Sequence, residues 1–412
     1  VFRRLQPFKD REAQRLAVLF GVVYFAQGMW NLPVQAINIT LKSRGLSAGQ
    51  VADFHLITTV PWLIKPVYGL LSDFVPLFGR RRKTYFLFTC GLAATAGFLG
   101  ALTTEHTYWL LAGVFTAMSF GLAFTDVLTD ALMVENGRAR NLTGAFQAVQ
   151  WASIYAASIL VGVVGGYFAE HRNIHAAFGL AACFPLISVT MAALFVREHR
   201  ARWDRAAFLA TWRTIRQAAR TRTVWAVAGF IFFFTFSPSF GPAFLFYQTD
   251  VLHFSQQFIG VLGSLQAIGY MIGALVYAPL SRRVSLRRIV VCSIGVSVVG
   301  TLTYLLYRDR TSAIVIDTLF GVVAMITQLA FLDLAAKSCP KRVEGTFFAL
   351  LMSVYNGGVQ LSTNVGGRLY DWLGFTPLVL VSAGFTAAAW LLVPLVKIER
   401  IEAAARADAD AG

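Results

Sequence analysis

Apolar runs roughly 20 residues long, the length of helix that crosses a bilayer's hydrocarbon core, recur along the whole chain between short polar intervals. Twelve such runs are centred near residues 26, 61, 94, 121, 156, 186, 235, 268, 296, 324, 356 and 386, and each predicts a membrane-spanning helix. The runs are continuous rather than alternating, which argues against a β-barrel. Their spacing of about 34 residues leaves short loops and no room for a soluble domain. The pattern therefore predicts an all-α membrane protein with twelve transmembrane helices.

The longest polar interval is 196–222. It is basic, and Trp203, Phe208, Leu209, Trp212 and Ile215 fall along one stripe, as in a helix lying on the cytoplasmic membrane surface. This interval divides the chain into an N-terminal six-helix bundle (1–196), a linker with an interfacial helix (197–222), a C-terminal six-helix bundle (223–398) and a tail (399–412). The halves echo one another. GAFQAVQWASIYAASILVGVVGG at 144–166 aligns without a gap on GTFFALLMSVYNGGVQLSTNVGG at 345–367, and YGLLSD at 68–73 matches YAPLSR at 277–282. Two matches in the same order imply two bundles related by pseudo-two-fold symmetry, a pattern of secondary transporters.

Composition adds orientation. Only 14% of residues are charged, where soluble chains carry about 25%. The net charge of +15 does not point to nucleic acid, because the cations are sorted by loop. About 29 of the 36 Lys and Arg lie in alternate intervals that include both tails and the central linker; about six lie in the opposite loops. That bias predicts both termini in the cytoplasm, and the expected setting is the plasma (cytoplasmic) membrane. The four cysteines are scattered without a CxxC pair, so neither a metal site nor a disulfide framework is expected. No GxxxxGK[ST] or HExxH motif occurs, and the single GxSxG match, GLSAG at 45–49, lies between two apolar helical runs without the strand-to-helix turn that a serine nucleophile needs, so hydrolytic pumping and zinc or serine catalysis lack support, and no cofactor is expected.

Polar side chains inside spans find no partners in lipid and should face a cavity or another helix. Tyr24, Gln27 and Asn31 recur at helical steps on the first span; Gln147, Gln150, Trp151 and Tyr155 share a face of the fifth. Gln266 and Tyr270 on the eighth span, Gln328 on the tenth, and Asn356 and Gln360 on the eleventh stand at comparable places in the second half. Together they suit a water-filled substrate cavity; interhelical hydrogen bonding without a ligand is the other reading. In FFFTFSPSFGPAFLFY, Pro238, Gly241 and Pro242 should break the seventh span in mid-membrane.

Charges at depth are the sharper signal. Asp126 and Asp130 are four residues apart and share a helix face. Lys65 lies at about the same depth and is their expected partner, while Asp333 marks the tenth span, with Asp317 nearer its outer end. Lys65, Asp126, Asp130 and Asp333 are thus candidates for proton coupling, or for a permanent salt bridge that closes the cytoplasmic side. Gly69, Asp73, Arg80, Arg81, Arg82 and Glu135 form the candidate cytoplasmic latch.

The stretch from Gly69 to Lys83, G-x-x-S-D-x-x-P-x-x-G-R-R-R-K, resembles the loop motif between the second and third spans of the major facilitator superfamily. The fuller string from Trp62, W-x-x-K-P-x-Y-G-x-x-S-D-x-x-P-x-x-G-x-R-R, is similar to the folate-biopterin transporter family. So are D-x-x-x-D-A-x-x-x-E (Asp126, Asp130, Ala131, Glu135) and PKRVEGTFFALLMSVYN with Pro340, Glu344, Gly345, Ala349 and Asn356. The chain departs from the family pattern at Arg80, where an aromatic residue is usual, and at Leu128 and Thr129. The resemblance implies the major facilitator fold and a non-enzymatic, proton-driven carrier of folates or pterins working by alternating access. Its partners would be a small-molecule substrate, protons and the lipid bilayer, with no nucleic acid and with the chain acting as a monomer. A permease for another organic anion such as a muropeptide, and a non-transporting sensor or assembly protein on the same scaffold, are the competing readings.

Overall fold

The computed structural model describes residues 8, 10–140, 142–196, 198, 200, 203, 205–340 and 344–410. Parts of the N-terminal tail and of the 196–222 linker, and the cations Lys341 and Arg342, lie outside the described residues. The described chain is helical throughout. In lipid only a helix or a closed barrel satisfies every backbone group internally, and continuous apolar runs select the helix.

The first part of the chain forms α1 (Arg11–Gly28), a 3₁₀ turn (Met29–Asn31), α2 (Val34–Ser43), α3 (Ala48–Leu63), α4 (Lys65–Phe74), α5 (Lys83–Leu102), α6 (Tyr108–Arg140), α7 (Thr143–Glu170) and α8 (Ile174–Phe195). There follow α9 (Arg205–Ala218), α10 (Arg222–Thr235), α11 (Gly241–Asp250), α12 (Gln256–Arg283), α13 (Leu286–Thr303), α14 (Arg310–Ser338), α15 (Glu344–Leu373), α16 (Phe375–Ala388), the single turn α17 (Val393–Val396) and α18 (Ile398–Asp410). Among the described residues, nine helical stretches are long and apolar enough to cross a membrane. They are Arg11–Ser43, which joins α1 and α2, then α5 to α8, α12 to α14, and Phe375–Val396.

The predicted runs near 61, 235 and 356 are the exceptions, each for a local reason. The first is divided at Ile64 into α3 and α4; Pro61 lies inside α3, and Pro66 occupies the first turn of α4, where a missing N–H is tolerated. The second is divided into α10 and α11 by Phe236–Phe240, with Gly241 at φ +39° and Pro242 in the first turn of α11. The break expected around Pro238 and Pro242 is thus present. The third run, α15, is a single 30-residue helix, but Asn356, Gln360, Ser362, Thr363 and Asn364 dilute its apolar character.

Contacts group the chain into two units: Val1–Leu41 with Ile57–Arg205, and Lys42–Leu56 with Ala206–Gly412. In the first unit α5 packs on α6 and α8, and α1 on α7 and α8, around a core that includes Phe20, Tyr24, Tyr68, Phe86, Phe124 and Phe146. In the second, α12 packs on α14 and α10 on α15. The stretch Lys42–Leu56 groups with the second unit because α15 binds the start of α3. Asp371 accepts hydrogen bonds from the Ser47 hydroxyl (2.6 Å) and the N–H groups of Ala48 (3.2 Å) and Gly49 (2.9 Å), capping a helix that is remote in sequence. Asp53 accepts from Asn364 (2.6 Å) and Arg368 (3.0 Å), and Lys42 pairs with Asp250. At the start of α14, Asp309 and Ser312 cap each other; the Ser312 N–H holds the Asp309 carboxyl below the usual aspartate range.

One close helix contact in the second unit, between α12 and α14, depends on missing side chains. A Cβ at Gly269 of α12 would lie 2.3 Å from the Thr318 carbonyl oxygen of α14, and one at Gly273 would lie 2.5 Å from that of Val322. Small residues one turn apart let the two backbones approach, a frequent membrane solution because lipid supplies no hydrophobic drive for helix association. Gly269→Val should lower the apparent melting temperature of the detergent-purified protein by several degrees, the overpacking costing about 1–3 kcal/mol. Gly384→Ala, where an added Cβ meets nothing within 4 Å, should leave it within error.

Candidate functional site

The break at Ile64 puts Lys65 at the first residue of α4, and α6 carries Asp126 and Asp130 on one face. The Lys65 ammonium lies 2.5 Å from Asp126 Oδ2. The other oxygen of Asp126 accepts from the Gln27 carboxamide at 2.8 Å. Asp130 accepts from the Tyr24 hydroxyl and from Gln150 Nε2 at 3.2 Å. Three elements of the first unit thus converge on the two carboxylates of α6: α1 through Tyr24 and Gln27, α4 through Lys65, and α7 through Gln150. Lys65 and Asp126 are 16% and 6% exposed, so the pair is held well away from bulk solvent. Trp62 covers it, with the ammonium 4.8 Å from its ring, and the indole N–H is fixed by Ser119 at 3.0 Å. Trp30 lies against Trp62 and stacks on Phe115 at 4.7 Å, extending an aromatic wall from the charges.

The remaining residues predicted for a cavity in this unit behave differently. Asn31 bonds back to the Gly28 carbonyl at 3.4 Å. Gln147 is exposed, and Trp151 stacks on the buried Tyr155 with ring centroids 5.8 Å apart.

The latch residues form a second ionic group. The buried Arg82 guanidinium reaches Asp73 at 3.0 Å and Glu135 at 2.5 Å. Gly69 faces α6, but a Cβ there would be 3.7 Å from Val127, an ordinary contact, so the packing of α4 on α6 does not require glycine at this position. Arg80 and Arg81 enter through their backbones. Arg80 closes a tight turn with Leu77 across Phe78 and Gly79, both at positive φ, and the Arg81 N–H donates to Glu198 at 2.8 Å. Sequence reasoning missed Glu198. It also accepts from the N–H groups of Arg82 and Lys83, capping α5, while the Lys83 ammonium donates to the carbonyls of Ala193 (2.5 Å) and Val196 (3.2 Å) at the end of α8. One of two anions, with Asp204, inside a cationic linker, Glu198 carried no other signal in the sequence.

In the second unit a cavity of about 570 Å³ is bounded by the α10–α11 break and by α12, α13, α14, α15 and α16. Gln266, Tyr270 and Gln328 line it as predicted residues, and so does Asp317, which sequence reasoning placed in the tenth span without giving it a role. Asp317 is buried and accepts from the hydroxyls of Tyr304 (2.9 Å) and Tyr307 (2.8 Å); Gln248 donates in turn to the Tyr307 hydroxyl at 2.8 Å. Asp333 stands apart from this cavity, paired with Lys337 at 2.8 Å and with Tyr277 at 3.5 Å. Asn356 is half-buried on α15, and Gln360 donates to Thr363 at 3.3 Å.

Comparison with known proteins agrees with this architecture. The chain is 33% identical over 374 residues, 86% of its length and 74% of the other protein, to a folate-biopterin transporter of Synechocystis sp.. It is 24% identical to a putative folate transporter of Plasmodium berghei, covering 93% of this chain and 88% of that one. Among solved structures, a POT family transporter bound to a thioalcohol-conjugated peptide matches with a TM-score of 0.73 at 12% identity, covering 93% of this chain and 96% of that one. The nucleoside transporter NupG matches with a TM-score of 0.67 at 14% identity, covering 94% and 98%. These likenesses show the fold, which the chain shares with both solved transporters. The profile of the BT1 family matches residues 27–395, and with that span of agreement over an all-helical membrane chain the protein belongs to the BT1 family, whose members are transporters and not enzymes.

Proposed function

We propose that the protein is a proton-coupled secondary transporter that moves a folate or pterin by alternating access. The relatives named as folate and folate-biopterin transporters support the substrate class. The observation that carries the coupling is the grouping of two carboxylates around one ammonium. Lys65 neutralises Asp126, while Asp130 is met by the hydroxyl of Tyr24 and the carboxamide of Gln150. In a medium of low dielectric the surplus negative charge is expensive unless a proton or a cation joins it. A proton on Asp130 leaves the cluster neutral, and its release restores the charge, so the two protonation states favour different surroundings. Such a difference is what biases a two-state carrier.

In this reading the nine apolar stretches, the divided pairs α3–α4 and α10–α11, and α15 make twelve crossings. They form two six-helix bundles, 1–196 and 223–398, related by pseudo-two-fold symmetry and joined by the 197–222 linker, with a tail from 399. Both termini lie in the cytoplasm, the membrane is the plasma membrane, and the chain works as a monomer. Asp73, Arg82 and Glu135 serve as the cytoplasmic latch. Asp333, neutralised by Lys337, acts in gating rather than as the proton carrier in this reading.

In vesicles that show saturable uptake of radiolabelled folate or biopterin, Asp130→Asn should abolish proton-driven accumulation while retaining solute exchange. Loss of exchange as well would assign Asp130 a structural role and remove the coupling reading. Lys65→Met leaves the Asp126 carboxylate buried without its cation and should cost about 3–5 kcal/mol, read as a large fall in melting temperature. The double replacement Lys65→Met with Asp126→Leu should recover most of that stability but not transport. If it restored transport, the pair would be no more than a fastening.

A further inference from the structure

Asp317 is the one charged residue among those lining the second-unit cavity. Its side chain is buried, and among the described residues no lysine or arginine forms an ion pair with it. A carboxylate in that position needs a counterpart from elsewhere. Its two phenol partners take one acceptor site on each oxygen: Tyr304 on Oδ1 and Tyr307 on Oδ2. An ionised carboxylate has about four such sites, so each oxygen keeps another. The partners also fix its orientation, since Tyr307 is itself held by Gln248 and its ring stacks on that of Tyr304, with centroids 5.6 Å apart. What remains is a held carboxylate at the wall of a cavity, with acceptor capacity left on each oxygen.

The rest of the wall narrows the ligand chemistry. Phe240, Phe244, Tyr304 and Phe320 bring aromatic side chains, and Gln266 and Gln328 bring carboxamides that both donate and accept. The volume of about 570 Å³ lies in the range of small-molecule sites. A flat ring with two parallel N–H donors on one edge meets all of these features, because paired N–H groups bind a carboxylate in the strong bidentate mode.

We propose that Asp317 recognises the paired N–H edge of a 2-amino-4-oxopteridine, its ring N–H and its 2-amino group, and that the second-unit cavity holds that ring. The inference rests on the folate or pterin reading above and adds to it the residue that selects the ring. Asp317 forms the two N–H···O bonds, the aromatic side chains flank the ring, and the carboxamides meet its remaining heteroatoms.

The test uses the full chain reconstituted in vesicles, under equilibrium exchange with no gradient and with radiolabelled biopterin as tracer. Competition by pterin is compared with competition by lumazine, the 2,4-dioxo analogue in which a carbonyl replaces the 2-amino group. The wild type should favour pterin by at least about hundredfold, because a site built for a donor rejects an acceptor in its place. Asp317→Asn should reverse the preference, since a carboxamide offers one donor and one acceptor to the carbonyl and N–H of the dioxo edge. Equal competition in the wild type overturns the inference, and that measurement needs no variant, so it stands even where Asp317→Asn fails to fold. An unchanged pterin preference in Asp317→Asn, with loss only of gradient-driven accumulation, also overturns it and makes Asp317 a proton carrier. Failure of the substrate reading looks different: neither pteridine would exchange in the wild type while another organic anion did, and the inference would fall with it.

Discussion

A charge inside hydrocarbon must be met by an opposite charge or by a proton, and much of the first unit follows from how that demand is satisfied. An uninterrupted second span would have carried Lys65 as one more helical residue among apolar neighbours. The break at Ile64 instead starts a new helix at Lys65, with Pro66 filling a turn that has no N–H to lose. From there the ammonium meets Asp126, and α1 and α7 send Gln27 and Tyr24, and Gln150, to the same pair of carboxylates. Four helices are oriented by one ionic group. The Trp62 ring over the ammonium adds a smaller attraction, about 0.5–2 kcal/mol, and shields the pair from water.

The second unit solves a related problem with backbone groups. Unwinding between α10 and α11 frees donors and acceptors that lipid cannot satisfy. The structure ties them to α15: the Ser239 N–H donates to the Ser362 carbonyl at 3.2 Å, and the two serine hydroxyls lie 3.1 Å apart. The approach is so close that a Cβ at Gly366 would fall 1.8 Å from the Ser239 carbonyl oxygen. Irregular backbone at this depth is tolerated because it lines a cavity and is anchored across it, and the cavity with Asp317 is the result.

Much of this was legible in the sequence where the signal was local. Length and continuity of apolar runs give the all-helical membrane class, and Pro238 with Pro242 announces the break before α11. Lysine and aspartate inside apolar runs stand out by their cost alone, so Lys65, Asp126 and Asp130 could be grouped from the sequence, although the ammonium pairs with Asp126 and it is Tyr24 and Gln150 that meet Asp130. Legibility fails where the partner is remote and ordinary. Nothing near Asp371 says that it caps α3, and nothing near Glu198 says that it caps α5. The hydrogen bonding of Asp317 depends on two tyrosines at and beyond the end of α13 turning inward, which periodicity does not reveal. The cavity stripes were legible as polar faces, but periodicity cannot distinguish Tyr24, spent on Asp130, from Gln266, which lines open space.

The cap that Asp371 places on α3 bears on the order in which the chain is completed. During synthesis residues 47–49 emerge more than three hundred positions before Asp371. Until then the first N–H groups of α3 lack that acceptor, and Asp53 lacks Asn364 and Arg368. The N-terminal half can insert early, yet its own third helix is finished by residues made near the end. A chain severed in the central linker would therefore yield two fragments, each missing something: one with an uncapped helix start, the other with an aspartate that has no helix to cap. Covalent continuity between the halves is more than a tether, because it keeps the late-made α15 near the early-made segment that it must complete.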